Sequence, residues 1–275
     1  MDYCVALLTN NVHNPMSPHT AHSFGCWSTS DGWRVHDDLL PSVNHNFESL
    51  SVNHILFNGR CKTIPAMGDH QCSLFATGVP VSDKTLFYNF GTSAQMAFIS
   101  NNVTNITESG SVEIRPFYDG FGSIVSIASM NGGNVINHFV SLFNRTHDEI
   151  LSEIDGSNTI KSPVWTSVRL FPERSQKGDM KGVRIEDVTQ HHSAAELIDS
   201  LARGLVENLF ELLYDENKEC KEYIEGIDHC VITGGARKYV TKHLNALSHI
   251  KHVDYVDQNA AVGAALFYNF LFHSD

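Results

Sequence analysis

The sequence lacks the run of about 18 apolar residues that a membrane-spanning helix needs, and it opens without a basic secretion leader. Its 19 Lys and Arg are outnumbered by 31 Asp and Glu, giving a net charge of −12, which disfavours nucleic-acid binding by bulk charge. The six cysteines form no Cys-x-x-Cys pair, which disfavours a structural metal site. We therefore expect a cytoplasmic protein with reduced thiols that binds neither membrane nor nucleic acid.

The composition is typical of a globular protein, since hydrophobic residues make up 42% of the 275 positions. In the second half of the chain, strand-like apolar runs alternate with stretches of helical spacing, and this alternation predicts an α/β fold. The length allows one large domain or two modest ones. We place a boundary near residue 85, which gives predicted domains of residues 1–84 and 85–275.

Local patterns predict several individual elements. Ser193 and Glu196 have the spacing of a capping box, and the apolar residues after them predict the most clearly marked helix of the chain. The other predicted elements are a strand and helix within 63–76, two strands joined by a turn within 84–98, a strand at 122–128, a helix at 135–143, a strand around 168–171, and a strand–turn–helix–strand–helix order from 229 onward.

Three glycine-bearing turns are candidate phosphate or nucleotide sites. Gly234 and Gly235 stand between a strand and a helix, whose N-terminus offers free N–H groups; a plain tight turn is the favoured alternative for this motif alone. The turn Gly91-Thr92-Ser93 offers backbone N–H groups and hydroxyls, or is an ordinary hairpin turn. The loop at 131–134, with its two glycines, exposes backbone in the same way, or is a simple connection.

Asp69 is the candidate catalytic carboxylate. It follows Gly68 at the end of a predicted strand, where α/β proteins collect ligand-facing residues, and a carboxylate there can accept a proton from a hydroxyl. The alternative, about equally favoured, is that Asp69 only caps the helix that follows. The adjacent pair His191-His192 is interpreted as solvated, because neighbouring residues on a helix do not face one site.

The order of these weak signals is more informative than each alone. Asp69, a small-residue hairpin, a Gly-Gly turn before a helix and an Ala/Gly-rich last helix resemble, in that order, the FGGY carbohydrate kinases, and in detail their sedoheptulokinase branch. The resemblance is carried by the stretches GDHQCS at 68–73, GTSAQ at 91–95, ASMNGGNV at 128–135, ARGLVENL at 202–209 and DQNAAVGAAL at 257–266. It implies the actin/hexokinase-like, ribonuclease H-like α/β fold of two domains around a cleft.

The resemblance also implies a reaction and a set of residues for it. The γ-phosphoryl group of ATP, bound with Mg²⁺, would pass to the terminal hydroxyl of a ketose, sedoheptulose giving sedoheptulose 7-phosphate. The implied roles are general base for Asp69, sugar contact for Asp69 and His70, phosphate loop for Gly91, Thr92 and Ser93, a turn toward the nucleotide for Gly132 and Gly133, and adenosine loop for Gly234, Gly235 and Ala236.

The sequence departs from the family in one respect that matters for chemistry. It contains no Asp-x-Gly-Thr or Asp-x-Gly-Ser after an apolar strand, although that hairpin cradles the transferred phosphate in the family and its Asp helps to hold Mg²⁺. We therefore expect residue 1 to lie well inside an incomplete first domain. Residues 17–23 also depart from the family pattern, so the identity of the sugar is left undetermined. The alternative to an active kinase is a catalytically inactive, actin-like module that binds nucleotide or protein. Exposed sheet edge and apolar surface would make the chain unstable alone or favour a homo-oligomer.

Overall fold

The structure is a computed structural model of the 275-residue chain. It describes residues 16–28, 31–34, 40, 42–44, 52–53, 62–63, 66–77, 84–118, 122–156, 164–174, 182–215, 217–218, 220–247, 249–256 and 260–273. The chain forms two compact units. The first unit contains residues 1–82, 115–124 and 258–275, and the second contains 83–114 and 125–257. This division separates 115–124 and 258–275 from the rest of the predicted 85–275 domain, whose boundaries stay a prediction.

The first unit contains three described helices and four very short strands. They are α1 (Pro18–Ser23), β1 (Trp27–Ser28), β2 (Gly32–Trp33), β3 (Val52–Asn53), β4 (Lys62–Thr63), α2 (Asp69–Ala76) and α8 (Ala260–His273). The predicted helix after Gly68 and the predicted final helix are both confirmed.

The remaining elements belong to the second unit, except that the last two residues of β7 (115–116) and the first two of β8 (123–124) fall in the first unit. They are β5 (Thr85–Phe90), β6 (Ala94–Ser100), β7 (Val112–Pro116), β8 (Ser123–Ser129), α3 (Gly133–Leu142), α4 (His147–Gly156), β9 (Val164–Arg169), β10 (Gly182–Glu186), α5 (Ala194–Tyr214), α6 (Cys220–Glu225), β11 (His229–Thr233), α7 (Arg237–Asn245) and β12 (His252–Tyr255).

A mixed six-stranded sheet organises the second unit, with the strand order β12-β11-β5-β6-β8-β7. β5 and β6 form the predicted antiparallel hairpin, with Phe90 opposite Ala94 across the turn. β11 runs parallel to β5 on one side and to β12 on the other. Because β5 and β11 are parallel neighbours, the segments that follow them start at the same edge of the sheet.

α5 supplies much of the core of the second unit. The predicted capping box is present, since the Ser193 N–H donates to the Glu196 carboxylate (2.8 Å) and the Glu196 N–H donates to the Ser193 hydroxyl (3.2 Å). The helix packs on β6, β9, α3, α4 and α7. Its fully buried apolar face consists of Ile198, Leu201, Ala202, Leu205, Leu209 and Leu213.

Helices α2 and α8 pack tightly in the first unit. The ring of Phe75 on α2 lies 4.9 Å from that of Phe267 on α8 and 5.4 Å from that of Phe117. A Cβ atom placed on Gly263 would lie 1.6 Å from the carbonyl oxygen of Cys72, so only glycine permits this approach. Among the helices in the described ranges, none is both long enough and apolar enough to cross a membrane.

Candidate functional site

Three segments that follow strands converge in the second unit. The turn at 91–93 follows β5, the loop at 130–134 follows β8 and includes the first residues of α3, and the segment at 234–236 follows β11 and leads into α7. The first segment joins two strands and the other two join a strand to a helix; all three present backbone N–H groups at the carboxyl ends of strands, which is where α/β folds bind ligands. The three segments are called the turn, the middle loop and the Gly-Gly loop below.

Backbone hydrogen bonds join the three segments to one another. The Gly133 N–H donates to the Gly91 carbonyl (2.8 Å), and the Asn134 N–H donates to the Thr92 carbonyl (3.0 Å). From the other side, the Ala236 N–H donates to the Phe90 carbonyl (2.9 Å). The turn is therefore held between the middle loop and the Gly-Gly loop by main-chain contacts.

Three of the glycines are required by this close approach. A Cβ atom would lie 2.4 Å from the carbonyl carbon of Ser93 at Gly132, 2.5 Å from the carbonyl oxygen of Gly91 at Gly133, and 2.4 Å from the carbonyl of Phe90 at Gly234. Gly234 also has φ = +96°, which residues with a side chain rarely adopt. Gly235 differs, because a Cβ atom there would have no atom within 4 Å.

A cavity of about 540 Å³ opens beside these segments, a size in the usual range for small-molecule sites of roughly 300–1,000 Å³. It lies wholly within the second unit. Its lining residues are Gly91, Thr92, Gly133, Ile136, Asn137, His147, Asp148, Leu151, Gly235, Ala236, Lys238 and Tyr239. The wall thus combines backbone from all three segments with a few polar side chains and two aliphatic ones.

The polar part of the wall includes a pair that the sequence analysis missed. His147 Nδ1 and the Tyr239 hydroxyl are 2.8 Å apart, and both residues line the cavity beside Asp148. Burial, together with the Asp148 carboxylate, raises the pKa of Tyr239 to about 12, so its hydroxyl stays protonated. Position in the sequence could have marked these residues as candidates. Lys238 and Tyr239 lie in the first turn of the helix after the Gly-Gly loop, and His147 begins α4.

A buried polar network lies behind the middle loop, and the sequence analysis also missed its central residue. Glu173 is only 4% exposed, and its carboxylate accepts hydrogen bonds from the Ser129 hydroxyl (2.6 Å), the Met130 N–H (2.9 Å), and the side-chain amides of Asn131 (2.8 Å) and Asn208 (3.1 Å). Nothing in the local pattern around 173 distinguished this glutamate from a surface residue.

The predicted nucleotide residues divide into two groups. Gly91, Thr92, Gly133, Gly235 and Ala236 line the cavity. Ser93, Gly132 and Gly234 do not line it but form the close backbone contacts that hold the segments together. The structure thus brings all eight residues into one region of the second unit, and their roles toward a ligand stay a prediction.

Asp69 and His70 lie in the first unit, in the first turn of α2. The N-cap is Gly68, so the alternative in which Asp69 itself is the capping residue is wrong by one position. The Asp69 carboxylate is exposed and accepts the His70 N–H at 2.8 Å, where the helix dipole favours negative charge. One carboxylate oxygen thus has a local partner, and the group is accessible to a ligand.

The described residues contain no group of three or more His, Cys, Asp or Glu side chains arranged to hold a metal ion. Magnesium in nucleotide sites is held largely by phosphate oxygens and water, with one or two carboxylates. Among the residues that line the cavity, Asp148 is the carboxylate that could contribute to such a site.

Several solved structures of carbohydrate kinases resemble this chain. A xylulose kinase from Brucella ovis matches with a TM-score of 0.76 at 15% identity, over 100% of this chain and 59% of its own. A ligand-bound xylulose kinase from Lactobacillus acidophilus matches with a TM-score of 0.74 at 18% identity, over 96% of this chain and 56% of its own. The Plasmodium falciparum glycerol kinase with ADP matches with a TM-score of 0.69 at 12% identity, also over 96% and 56%.

The chain has the fold of a carbohydrate kinase. This confirms the predicted actin/hexokinase-like α/β architecture and, at the level of fold, the resemblance to FGGY-type kinases. The chain spans 56–59% of the length of the three kinases. No protein-family model matches the sequence, and no curated protein matches it either.

Proposed function

We propose that the chain binds a nucleotide in the cavity of its second unit and that it belongs to a protein that phosphorylates a sugar with ATP and Mg²⁺. The observation that carries the proposal is the convergence of three glycine-bearing segments on one cavity, in a fold shared with sugar kinases. Phosphoryl transfer depends mainly on positioning and charge stabilisation rather than on covalent chemistry by the protein. A rigid backbone cradle suits that task.

Several properties of the cavity support a nucleotide as its ligand. The open space at Gly235 would let an adenosine approach the main chain, and the turn at 91–93 would present backbone N–H groups and a hydroxyl to phosphate oxygens. Lys238 adds a cation at the wall. Mg²⁺ would be held by the phosphates and would neutralise charge on them.

In this proposal, Asp69 is the general base. Its exposed carboxylate would accept the proton from a sugar hydroxyl as that oxygen attacks the γ-phosphorus, and the nucleoside diphosphate would leave. The proposed substrate class is an open-chain ketose or polyol with a terminal hydroxyl. Sedoheptulose comes from the sequence resemblance, and xylulose and glycerol come from the names of the similar kinases.

The test begins with ATP and ADP binding to the purified chain by calorimetry, followed by phosphorylation assays with sedoheptulose, xylulose and glycerol. We expect Asp69→Asn to lower the phosphorylation rate by about 10²–10⁴-fold and to leave the Kd for ATP unchanged. The matched control is Asp31→Asn, because Asp31 is an exposed carboxylate of the same unit.

A second candidate function is nucleotide binding without turnover. It is favoured by the cavity itself, whose lining lies wholly in the second unit and does not include Asp69. Measurable ATP binding with no phosphorylation of any of the three compounds supports this candidate. Absence of ATP and ADP binding contradicts both candidates.

A further inference from the structure

We propose that Glu173 is a positioning residue for the nucleotide site, which it never touches. Its buried carboxylate fixes the middle loop, and the middle loop fixes the turn at 91–93 that faces the cavity. This inference rests on the proposed nucleotide function. It assigns to a buried anion the task of holding phosphate-binding backbone in place.

The carboxylate is fully engaged by donors. Its Oε1 atom accepts from the Ser129 hydroxyl and from the side-chain amides of Asn131 and Asn208, and its Oε2 atom accepts from the Met130 N–H. Of the ion pairs among the described residues, none includes Glu173. A buried anion without a direct cation needs this many hydrogen bonds, because an unsatisfied charge in the interior is costly.

Asn208 connects this anion to a buried cation. It donates from Nδ2 to Glu173 and to the Ser129 hydroxyl (3.1 Å), and its Oδ1 accepts from Nε of Arg169 (2.9 Å). Arg169 is itself buried, and its Nη2 reaches Glu211 at 3.4 Å. The anion and the cation are thus joined through one neutral amide, which contacts Ser129, Glu173 and Arg169.

The contacts continue from Glu173 to the cavity without a gap. Asn131, held by Glu173, also binds both backbone groups of Phe171, since its amide donates to the carbonyl (2.9 Å) and accepts from the N–H (2.8 Å). The next residues are Gly132, whose N–H donates to the Asn134 side chain (2.9 Å), and Gly133, whose N–H donates to Gly91 in the turn. Movement of the segment 129–131 therefore displaces the residues that clamp the turn.

Replacement of Glu173 by Gln tests this chain of contacts with almost no change in volume. An amide can place its oxygen on only one side, so its NH₂ group must face either the Met130 N–H or the three donors on the other side. Either choice sets donor against donor inside the protein. We expect the middle loop to loosen locally while the unit stays folded.

The first measurement is amide hydrogen exchange of the full chain without nucleotide. In Glu173→Gln, we expect the Gly133 and Asn134 amides to exchange at least about tenfold faster than in the wild type. The matched control is Asn217→Ala, because Asn217 is also a buried polar clamp. It holds the backbone of Thr107 (2.6 and 3.2 Å) in a segment that does not line the cavity. We expect that control to leave exchange at 133 and 134 unchanged.

The second measurement is the Kd for ADP and for ATP by calorimetry. We expect Glu173→Gln to weaken both by about tenfold and Asn217→Ala to leave both unchanged at a comparable melting temperature. If Glu173→Gln does not fold, Ser129→Ala removes one donor and keeps the charge, and we expect about threefold weaker binding. Nucleotide binding equal to the wild type, unchanged exchange at 133 and 134, or equal weakening in the Asn217 control overturns the inference. Failure of the wild type to bind either nucleotide overturns the proposed function and the inference with it.

Discussion

The two compact units differ in how their closely packed segments contact one another and in which titratable groups they bury. In the first unit, α2 and α8 approach through a glycine against a carbonyl, surrounded by aromatic rings, and the buried titratable side chains among its described residues include His19 and Cys72. In the second unit, main-chain segments bind one another directly, and the buried titratable groups include the carboxylates of Glu173 and Asp199. The same small residue, glycine, serves helix packing in one unit and loop packing in the other.

The two units should therefore respond differently to acid. Burial lowers the pKa of His19 to about 4, although a hydrogen bond to the Phe117 carbonyl opposes the shift. Burial tends to raise the pKa of Asp199, but hydrogen bonds from His243 and Lys242 outweigh it and leave that pKa below its usual value. The stability of one interior thus depends on keeping a base neutral, and that of the other on keeping an acid ionised.

The largest effect is expected from Gly263→Ala in the first unit. The new Cβ atom would lie 1.6 Å from the Cys72 carbonyl oxygen and 3.0 Å from the Ala76 nitrogen, and both atoms are backbone, so the helices must separate. We expect a loss of about 3 kcal/mol or more in the free energy of unfolding, at the upper end for overpacking. Urea unfolding followed by circular dichroism measures it.

The control for this prediction is Ala265→Ser, an exposed position of the same helix, with an expected change within about 0.5 kcal/mol. Because Asp69 begins α2, Gly263→Ala should also lower any phosphorylation activity more than it lowers ATP affinity. Equal stability of the two variants would show that α2 and α8 do not pack as described.

The next effect concerns pH in the first unit. The folded-state pKa of His19 is about 4, against 6.5 for the unfolded chain, so the unfolded state binds more protons between these values. The contribution of neutral His19 to the free energy of unfolding is about 3 kcal/mol. It is fully present above pH 6.5 and is lost as the pH falls toward 4. The free energy of unfolding measured between pH 7 and pH 4.5 should fall, and His19→Gln should flatten much of that slope.

The second unit should lose stability at a lower pH than the first. Asp199 has a folded-state pKa below its unfolded value, so its contribution is present above the unfolded value and is lost only in more acid solution. Burial also lowers the pKa of His249, a smaller effect with the same sign as that of His19. At pH 5 the first unit should therefore open before the second, and hydrogen exchange should detect this order. If the two units open together in the wild type as well as in His19→Gln, the acid sensitivity of the first unit is not due to His19.

Most of the second unit's elements could be predicted from sequence because their signals are local. The capping box at Ser193, the hairpin around 91–93 and the strand before Gly234 each depend on residues a few positions apart. The glycines were likewise visible as a pattern. Their distinct roles were not, because each depends on which backbone lies opposite, as the Phe90 carbonyl does for Gly234.

The network around Glu173 could not be predicted for the same reason. It joins Ser129, Glu173 and Asn208, which are 35 to 79 positions apart, and no local periodicity marks such residues as buried. A charged residue in a polar stretch is normally assigned to the surface. Likewise, the pair of His147 and Tyr239 spans 92 positions. Long-range polar contacts are the part of this site that needs a structure.

The smallest predicted effect separates the two adjacent glycines of the Gly-Gly loop. Gly235→Ala adds a Cβ atom with no atom within 4 Å, so we expect a change in stability within about 0.5 kcal/mol. If a nucleotide occupies the space at this wall of the cavity, its affinity should fall by about tenfold, or about 1.4 kcal/mol. Calorimetric titration with ADP and a urea melt of the same variant measure the two quantities.

Gly234→Ala is the internal control, since it must clash with the Phe90 carbonyl at 2.4 Å and hold φ at +96°. It should lose both stability and affinity, because the contact that it breaks holds the loop itself. The distinguishing result is therefore a loss of affinity without a loss of stability at 235 alone. Unchanged ADP affinity in Gly235→Ala would mean that the nucleotide does not approach this glycine, and the Gly-Gly pair would then serve only as the tight turn between β11 and α7.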